Sequence, residues 1–489
     1  MNDTPHSVIV VGCGPTGLLM AGDLAAAGVP VTLVEKRPHK ISNLSRAIVV
    51  HARTLELLDA RALSDEVESL GRHLDRMNLF TRLTVEFDTL PSRFNHITLL
   101  PQYEMERILE RRAFEAGVRF RFETEVTGVR QDDDGVTVEV RGPDRESEEL
   151  RAAYVVGADG MHSTVRGAIG LPFPGRSVIR SVLLADVRLA EEPENLLSVH
   201  SNGDAFVFFA SFGDGYYRVV AWNRRRDTAE SEPLHLEEVK ETVRLAAGRD
   251  FGMHDAKWLS RFHSDERQAP AYRVGRAFLA GDAAHVHTPA GGQGMNIGMQ
   301  DAANLSWKLA AVVQGRADEA LLDTYQAERH PVGTEAMRSS GAIVRLAMAK
   351  HAWTLGLRAV VASALNVMTP VRRRLALQIT GIGVKYDAPH GAHRLTGARV
   401  PDLALESGRL YEALRGVRFV LITPEKFQDK TGLEDWLTVE RRTGRGSGSR
   451  TSVLVRPDGY VAWAADAADP AEIEAAVEQH VGERIALAR

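Results

Sequence analysis

The sequence has one cysteine among its 489 residues, Cys13. An intrachain disulfide and a cysteine-built zinc site are therefore excluded, and a reducing cytoplasm is the expected compartment. A long apolar run is also missing. The most apolar late segment, AWTLGLRAVVASALNVM, carries Arg358 inside it and is short for a bilayer span, so it reads as a helix within the protein. Basic charge is not in excess: the formal net charge is −5, which argues against nucleic acid as a partner. No signal peptide precedes the first apolar run, because MNDTPHS leads straight into VIVV. There is no internal repeat, and GRGSGSR is the one low-complexity loop. What is left, 44% apolar and 26% charged, is an ordinary globular chain of two or three domains.

What is present begins at Val8. The run VIVV reads as a strand buried on both faces of a parallel sheet. Gly12, Gly14 and Gly17 follow with the spacing G-x-G-x-x-G. The first glycine permits a tight turn, the second lets backbone approach phosphates, and the third lets helix and strand pack closely. A helix is predicted from about Thr16 to Ala27, stopped by Gly28, with its free N–H groups aimed at a pyrophosphate. A second strand, Val31 to Val34, ends at Glu35, where an acid takes a ribose hydroxyl. The loop alone fits NAD and FAD equally, since both carry the same ADP half.

Further along, Arg46 to Gly71 reads as helical. Arg119 to Arg141 alternates as a hairpin would, turning at QDDDG. From about Phe173 to Phe262 the pattern changes to antiparallel strands interrupted by one helix, HLEEVKETVRLAA. The α/β pattern returns at GRAFLAGDAAH, followed by a long helix from about Asn296 to Val313 and a helical stretch from about Ala327 to Gly381. The tail holds a strand RFVLIT, a hairpin turning at Pro457, Asp458 and Gly459, and a final helix from about Pro470.

Two more motifs bear on the cofactor. One is DGMHSTVR, Asp159 to Arg166, after a strand. The other is GRAFLAGDAAHVHTPAGGQGMN, Gly275 to Asn296. A strand ending in Gly281 and Asp282 offers a carboxylate to the hydroxyls of a sugar-alcohol chain. Gly291, Gly292 and Gly294 let backbone approach a flat ring, and the helix start near Asn296 aims N–H groups at it. An anionic reduced flavin would gain about 0.3–1 kcal/mol there.

The three motifs, in this order and spacing, resemble the single-component flavoprotein aromatic hydroxylases of the p-hydroxybenzoate hydroxylase fold family, over essentially the whole chain. The phrases SRAIVVHARTLELLD and LLDTYQAERHPVG look most like bacterial aromatic polyketide hydroxylases of the aklavinone and angucycline type. The resemblance implies an α/β fold: a Rossmann-like FAD-binding domain from 1–172 and 263–387, an antiparallel-sheet substrate domain at 173–262, and a thioredoxin-like C-terminal domain at 388–489. That last domain has no cysteine and so no dithiol chemistry. FAD is implied as the tight, non-covalent cofactor, with NADPH or NADH as a transient one. Gly12, Gly14, Gly17, Glu35 and Lys36 are implied to hold its ADP half, Arg46 and Gln102 its pyrophosphate and ribityl chain, and Val126 its adenine. Asp159 belongs to the shared nucleotide motif. Gly281 and Asp282 are implied at the ribityl hydroxyls, and Pro289, Gly292, Gly294, Met295 and Asn296 at the isoalloxazine.

The implied reaction is monooxygenation of an electron-rich, polycyclic phenolic ring through a flavin C4a-hydroperoxide, with O₂ and NAD(P)H consumed and water excluded. Phe206, Phe208, Phe212, Tyr216 and Trp222 are the candidate walls of a large flat substrate pocket; plain sheet packing is the other reading. His51 and Arg53 are the candidate catalytic residues, Arg53 as a fixed cation or else as a helix-surface arginine. His285 and His287 form H-x-H, but with no third ligand nearby no metal is expected. Arg224 to Arg226 and Arg372 to Arg374 read as solvated turns. The rival chemistries are Baeyer–Villiger oxidation and inactivation of an aromatic antibiotic. A flavin halogenase would carry W-x-W-x-I-P, whereas Trp222 and Trp258 are isolated; a non-catalytic flavoprotein is the last alternative. The partners expected are small molecules, and a homodimer is left open.

Overall fold

The computed structural model describes residues 6–39, 47–79, 83–289, 291–347, 368–425, 427, 433, 435–444 and 446–482. Val8–Val11 is fully buried and lies between two parallel neighbours, Tyr154–Gly157 and Val31–Val34. Ala277–Leu279 and Arg119–Arg121 extend this parallel sheet on either side, and Arg273–Val274 closes one edge antiparallel. The first helix, Pro15–Ala26, packs against Gln102–Glu115 and Gly294–Val313. It is buried nearly all round, including Asp23, which Arg61 and Arg112 neutralise. A three-stranded antiparallel sheet, Glu125–Gln131 with Val136–Arg141 and Ser147–Ala152, covers one edge. The acidic tip of its hairpin is held by Arg151 on Asp132.

The second large sheet is antiparallel, as the alternation predicts. Its order is Leu197–Ser201, Ala205–Ser211, Tyr216–Asn223, Gly175–Arg188, His254–Gln268 and His285–Val286. The strand His254–Gln268 carries it past residue 262, and His285–Val286, which follows the parallel-sheet strand Ala277–Leu279, joins its edge. One face, with Val207, Phe209, Val219 and Ala221, packs under the helix Leu236–Ala247.

The C-terminal part is a four-stranded sheet in the order Leu437–Glu440, Phe419–Ile422, Thr451–Val455, Val461–Asp466, with the first pair parallel and the others antiparallel. The helix Pro470–Val481 covers it, and Trp307, from the long helix Gly294–Val313, enters its core edge-on to Phe419.

Three expectations change. The segment from 46 to 71 is not one helix: Val49–Val50 is a short strand paired with Ile97–Leu99, followed by the helices Ala52–Asp59 and Ser64–Leu70. β-branched valines in an apolar pair favour the sheet there. Arg372 to Arg374 lie on a helix, Thr369–Ile379, instead of a turn. The long helix starts at Gly294, two residues before Asn296. Most of the apolar segment from 352 lies outside the described residues. Among the described residues no helix is long and apolar enough to cross a membrane.

Candidate active site

Each glycine of the first loop has a separate geometric reason. Gly12 has φ +104°, and a Cβ on it would meet the Ala158 carbonyl oxygen at 2.4 Å. A Cβ on Gly17 would meet the Gly12 oxygen at 1.9 Å. A Cβ on Gly14 would meet no described atom within 4 Å, so no protein packing requires glycine there. No side chain among the described residues caps the helix that begins at Pro15, so its N–H groups are free for an anion. Glu35 is buried and pinned to the loop: its carboxylate accepts the Cys13 N–H at 2.8 Å and the Arg37 N–H and Nε at 2.9 Å each. Burial pushes the Glu35 carboxyl up, but the hydrogen bonds from Arg37 and Cys13 outweigh it and hold the pKa below the usual range. Burial and Glu35 together raise the Cys13 thiol, so it stays protonated and is no nucleophile. This is a cradle that fits a dinucleotide pyrophosphate.

The three motifs converge on one turn. Gly281–Ala283 is a short 3-10 turn after the strand Ala277–Leu279, and it leaves Asp282 exposed. Arg166, from the second motif, donates to the Ala283 carbonyl at 2.8 Å. A Cβ on Gly281 would meet Thr16 Oγ1 at 2.8 Å, and one on Gly298 would meet the same oxygen at 2.3 Å. Phosphate loop, Asp282 turn and long helix are thus locked around Thr16. Asp159 sits at the end of the strand Tyr154–Gly157. Its Oδ2 accepts from the Thr164 and Val165 N–H groups, while its Oδ1 is buried without a partner among the described residues. Burial raises its pKa despite those bonds. Such an oxygen suits a ligand hydroxyl.

The long helix starts without a side-chain cap among the described residues. Asn296 binds the chain on both sides of that start. Its Oδ1 accepts the His51 N–H at 2.8 Å, and its Nδ2 donates to the Val49 and Gly292 carbonyls at 2.8 Å each. Gly292 has φ +63°, and a Cβ there would strike Val49. Pro289 is exposed, Gly294 and Met295 are half-buried, and Gly292 donates to the Pro289 carbonyl at 3.1 Å.

Against this helix start lies a cavity of about 250 Å³. His51, Gln293, Asn296 and Gln300 line it on one side, and residues of Asp323–Ala347 and the segment 378–385 on the others. His51 donates from Nε2 to the Gly291 carbonyl at 2.8 Å, because a carbonyl can only accept. Burial lowers its pKa to about 4, only partly opposed by that hydrogen bond. The ring is therefore neutral at pH 7, and Nδ1 is a bare lone pair. It is buried without a partner among the described residues, as are Oε1 of Gln293 and Oε1 of Gln300. Three orphaned acceptors on residues that line an apolar cavity suit a ligand with O–H or N–H donors.

Arg53 is not among the described residues that line this cavity. It is fully buried, and its guanidinium binds Glu56 and the Tyr411 hydroxyl at 2.9 Å each and the Asp458 carbonyl. It is no surface arginine, and its charge is paired with Glu56 of its own helix. The five aromatic residues share one sheet face, as the register places them, opposite the helix Leu236–Ala247. None is among the described residues that line the cavity. Phe206 and Trp222 stack at 5.8 Å and pack on Ile179, Phe262 and Val344, whereas Phe208 and Phe212 pack on the nucleotide-domain core. Tyr216 lies at the edge between Arg188 and Lys257.

Gln102 begins the helix Gln102–Glu115; it accepts the Ala47 N–H at 3.1 Å and donates to Glu106. Val126 is buried, just after Thr124, whose N–H bonds the Glu35 carbonyl, which puts it at the acid end of the loop. Lys36 is exposed and Arg46 lies outside the described residues. His285 is buried and hydrogen-bonded to Asp301 at 2.7 Å, and Asp301 is ion-paired with Arg329. The Nε2 of His287 faces the start of the long helix, 3.8 Å from where a Gly294 Cβ would be. Sequence reasoning missed Thr16, Arg37, Gly298 and Gln300. The one available signal was the repeat of glycine at 294 and 298, one helical turn apart.

A family model for the FAD binding domain matches residues 6–340, and one for the C-terminal part of aromatic-ring hydroxylases matches 393–483. The rifampicin monooxygenase of Streptomyces venezuelae is 40% identical over 94% of this chain and 95% of its own. Among solved structures, the anhydrotetracycline hydroxylase of Streptomyces rimosus superposes with TM-score 0.85 at 36% identity, covering 97% of this chain and 98% of its own. A ternary complex of aklavinone-11 hydroxylase with FAD and aklavinone gives TM-score 0.77 at 27% identity, over 98% and 99%. The chain belongs to the FAD-dependent aromatic monooxygenase family.

Proposed function

We propose that the protein hydroxylates a polycyclic phenolic compound of the polyketide type, with O₂ as the oxygen source and NADPH or NADH as the reductant. Bound in the cradle, FAD supplies the two-electron chemistry and the activation of O₂. The glycine loop and the uncapped start of Pro15–Ala26 hold its pyrophosphate, Glu35 and Asp159 the sugar end, and Asp282 the ribityl hydroxyls. The start of Gly294–Val313 turns free N–H groups to the polar edge of the ring system, where they favour negative charge.

The observation that carries the reading is the cavity beside that helix start. His51 Nδ1 accepts the hydrogen bond of a substrate hydroxyl, which orients the ring and draws its proton away. Ile297, Pro331, Val332, Ala336 and Ile379 make the walls that exclude water. A lone pair that can only accept selects for a phenol over its methyl ether.

The test is NADPH consumption over a panel of phenols, naphthoquinones and anthracyclines under ¹⁸O₂, with product mass. Stimulated oxidation and one ¹⁸O in the product are expected. Unstimulated, uncoupled turnover with every phenol would sink the proposal. A second reading takes an aromatic antibiotic itself as the substrate; the 40% identity to a rifampicin monooxygenase favours it. An ester or lactone product in the same assay would instead identify Baeyer–Villiger oxidation.

The tail is proposed to be a thioredoxin-like fold used as a clamp. Its one parallel and two antiparallel strand pairs under a helix support that topology. Arg456 binds Glu328 at 2.6 and 2.9 Å, and Lys308 binds Glu328 at 2.8 Å, so three buried charges tie the tail to the two long helices.

A further inference from the structure

Helix Ser64–Leu70 ends at Gly71, and the strand Arg72–Leu74 begins at once. A Cβ on Gly71 would meet Thr98 Cγ2 at 2.1 Å, so only glycine lets the helix end lie this close to the next strand. The strand pairs antiparallel with Ile97–Leu99, with His73 opposite Thr98. Residues 96 and 98 fall on the same face of that strand, so His73, Thr98 and His96 share one face. Glu68, from the last turn of the helix, comes down onto it.

Glu68 Oε2 lies 2.7 Å from His96 Nε2 and 3.1 Å from His73 Nε2. The two imidazoles stack at 4.1 Å with 21° between their planes. Thr98 Oγ1 donates to Glu68 Oε1 at 2.6 Å and fixes the carboxylate plane, as the supporting partner of a metal ligand does. Among the described residues this is the one cluster in which three histidine, cysteine or acidic ligand atoms lie within 4.8 Å of one another. His96 is largely buried and His73 is 46% exposed on its side chain, which leaves an open side for solvent ligands.

We propose that Glu68, His73 and His96 bind a divalent transition-metal cation of the zinc type, with water in the remaining positions. Two imidazoles and one carboxylate are a donor set of that class, and too nitrogen-rich for calcium or magnesium. Both Nε2 atoms are directed at a single carboxylate oxygen, so one cation placed among the three atoms would be shared by all three ligands. The motif escaped the sequence reading because its members are scattered over 29 positions and only strand register unites them. The site is outside the flavin cradle. It braces the sheet Val49–Val50, Ile97–Leu99, Arg72–Leu74, whose first strand leads into His51 and whose middle strand leads into Gln102.

The experiment uses untagged, FAD-loaded protein stripped with chelator. Zn(II) is titrated calorimetrically, and Cu(II) is added separately for electron paramagnetic resonance. Saturable one-to-one Zn(II) binding is expected, together with a higher melting temperature and a Cu(II) signal split by two nitrogens. His73→Gln, at a half-exposed position, should weaken Zn(II) binding by about tenfold or more and leave one nitrogen. Its FAD content and circular dichroism should match wild type. Absence of saturable Zn(II) heat in the wild type, or an isotherm unchanged by His73→Gln, overturns the proposal. Neither result touches the monooxygenase reading.

Discussion

Asn296 and His51 are joined across 245 residues by a 2.8 Å hydrogen bond from the His51 N–H to Asn296 Oδ1. The same amide donates to the Val49 carbonyl. One side chain therefore sets the distance between the helix start expected to face the flavin ring and the residue expected to face the substrate. Asn296→Ala leaves a buried N–H and a buried carbonyl unpaired, at a cost of about 2–4 kcal/mol. Urea unfolding should show that loss, and FAD content of the purified protein should fall with it. Unchanged stability would mean the two segments are held by other contacts.

Gly14 and Gly298 separate binding from folding. Nothing among the described residues lies within 4 Å of a Cβ on Gly14, whereas one on Gly298 meets Thr16 at 2.3 Å and the Gly281 Cα at 3.2 Å. Gly14→Ala should cost the apoprotein at most about 1 kcal/mol, as a helix N-cap change. It should weaken FAD binding at least about tenfold, or ~1.4 kcal/mol. Gly298→Val should destabilise the apoprotein itself by about 2 kcal/mol through overpacking. Paired thermal melts and flavin-fluorescence titrations check the split.

Arg53 is read here as a fixed cation of the domain contact. Arg53→Met removes a buried charge from Glu56, Tyr411 and Asp458 and should cost about 3 kcal/mol. Limited proteolysis should then release the tail more readily. Turnover per bound FAD should stay within a few-fold of wild type. A collapse of turnover with the melting temperature intact would return Arg53 to the chemistry.

These residues also mark what the sequence made legible. Local devices could be read: VIVV followed by three spaced glycines, Glu35 at the next strand end, and Pro457 to Gly459 as a hairpin turn. Each depends on neighbours along the chain. That the same hairpin turn docks its Asp458 carbonyl on Arg53 depends on partners 405 positions apart, and nothing local encodes it. Arg53 was placed near the substrate by likeness alone, and the fold turned its charge elsewhere. The five aromatics were offered as walls of a substrate pocket, with plain sheet packing as the other reading; which layer covers their face is a packing outcome that no local pattern encodes. Gln300 was invisible because an amide on a long helix carries no signal until a cavity opens beside it.

His51 gives the pH dependence a sign. Its ordinary value is 6.5, and burial lowers it to about 4 in the folded protein. The unfolded chain therefore binds the extra proton first, and stability falls as pH drops from about 6.5 to about 4. Above 6.5 this residue contributes no slope. The full swing is about 3 kcal/mol at one pKa unit per 1.36 kcal/mol. Glu335 and Lys385 line the same cavity and are present in both proteins compared. His51→Gln keeps a donor for the Gly291 carbonyl and cannot charge, so its stability should decline less between pH 6.5 and 4.5 than that of wild type. The same variant should lower turnover with phenols while FAD binding persists, because the lone pair at Nδ1 is lost. Equal acid slopes in urea titrations of the two proteins would show that His51 is not the neutral, buried acceptor on which the reading of the cavity rests.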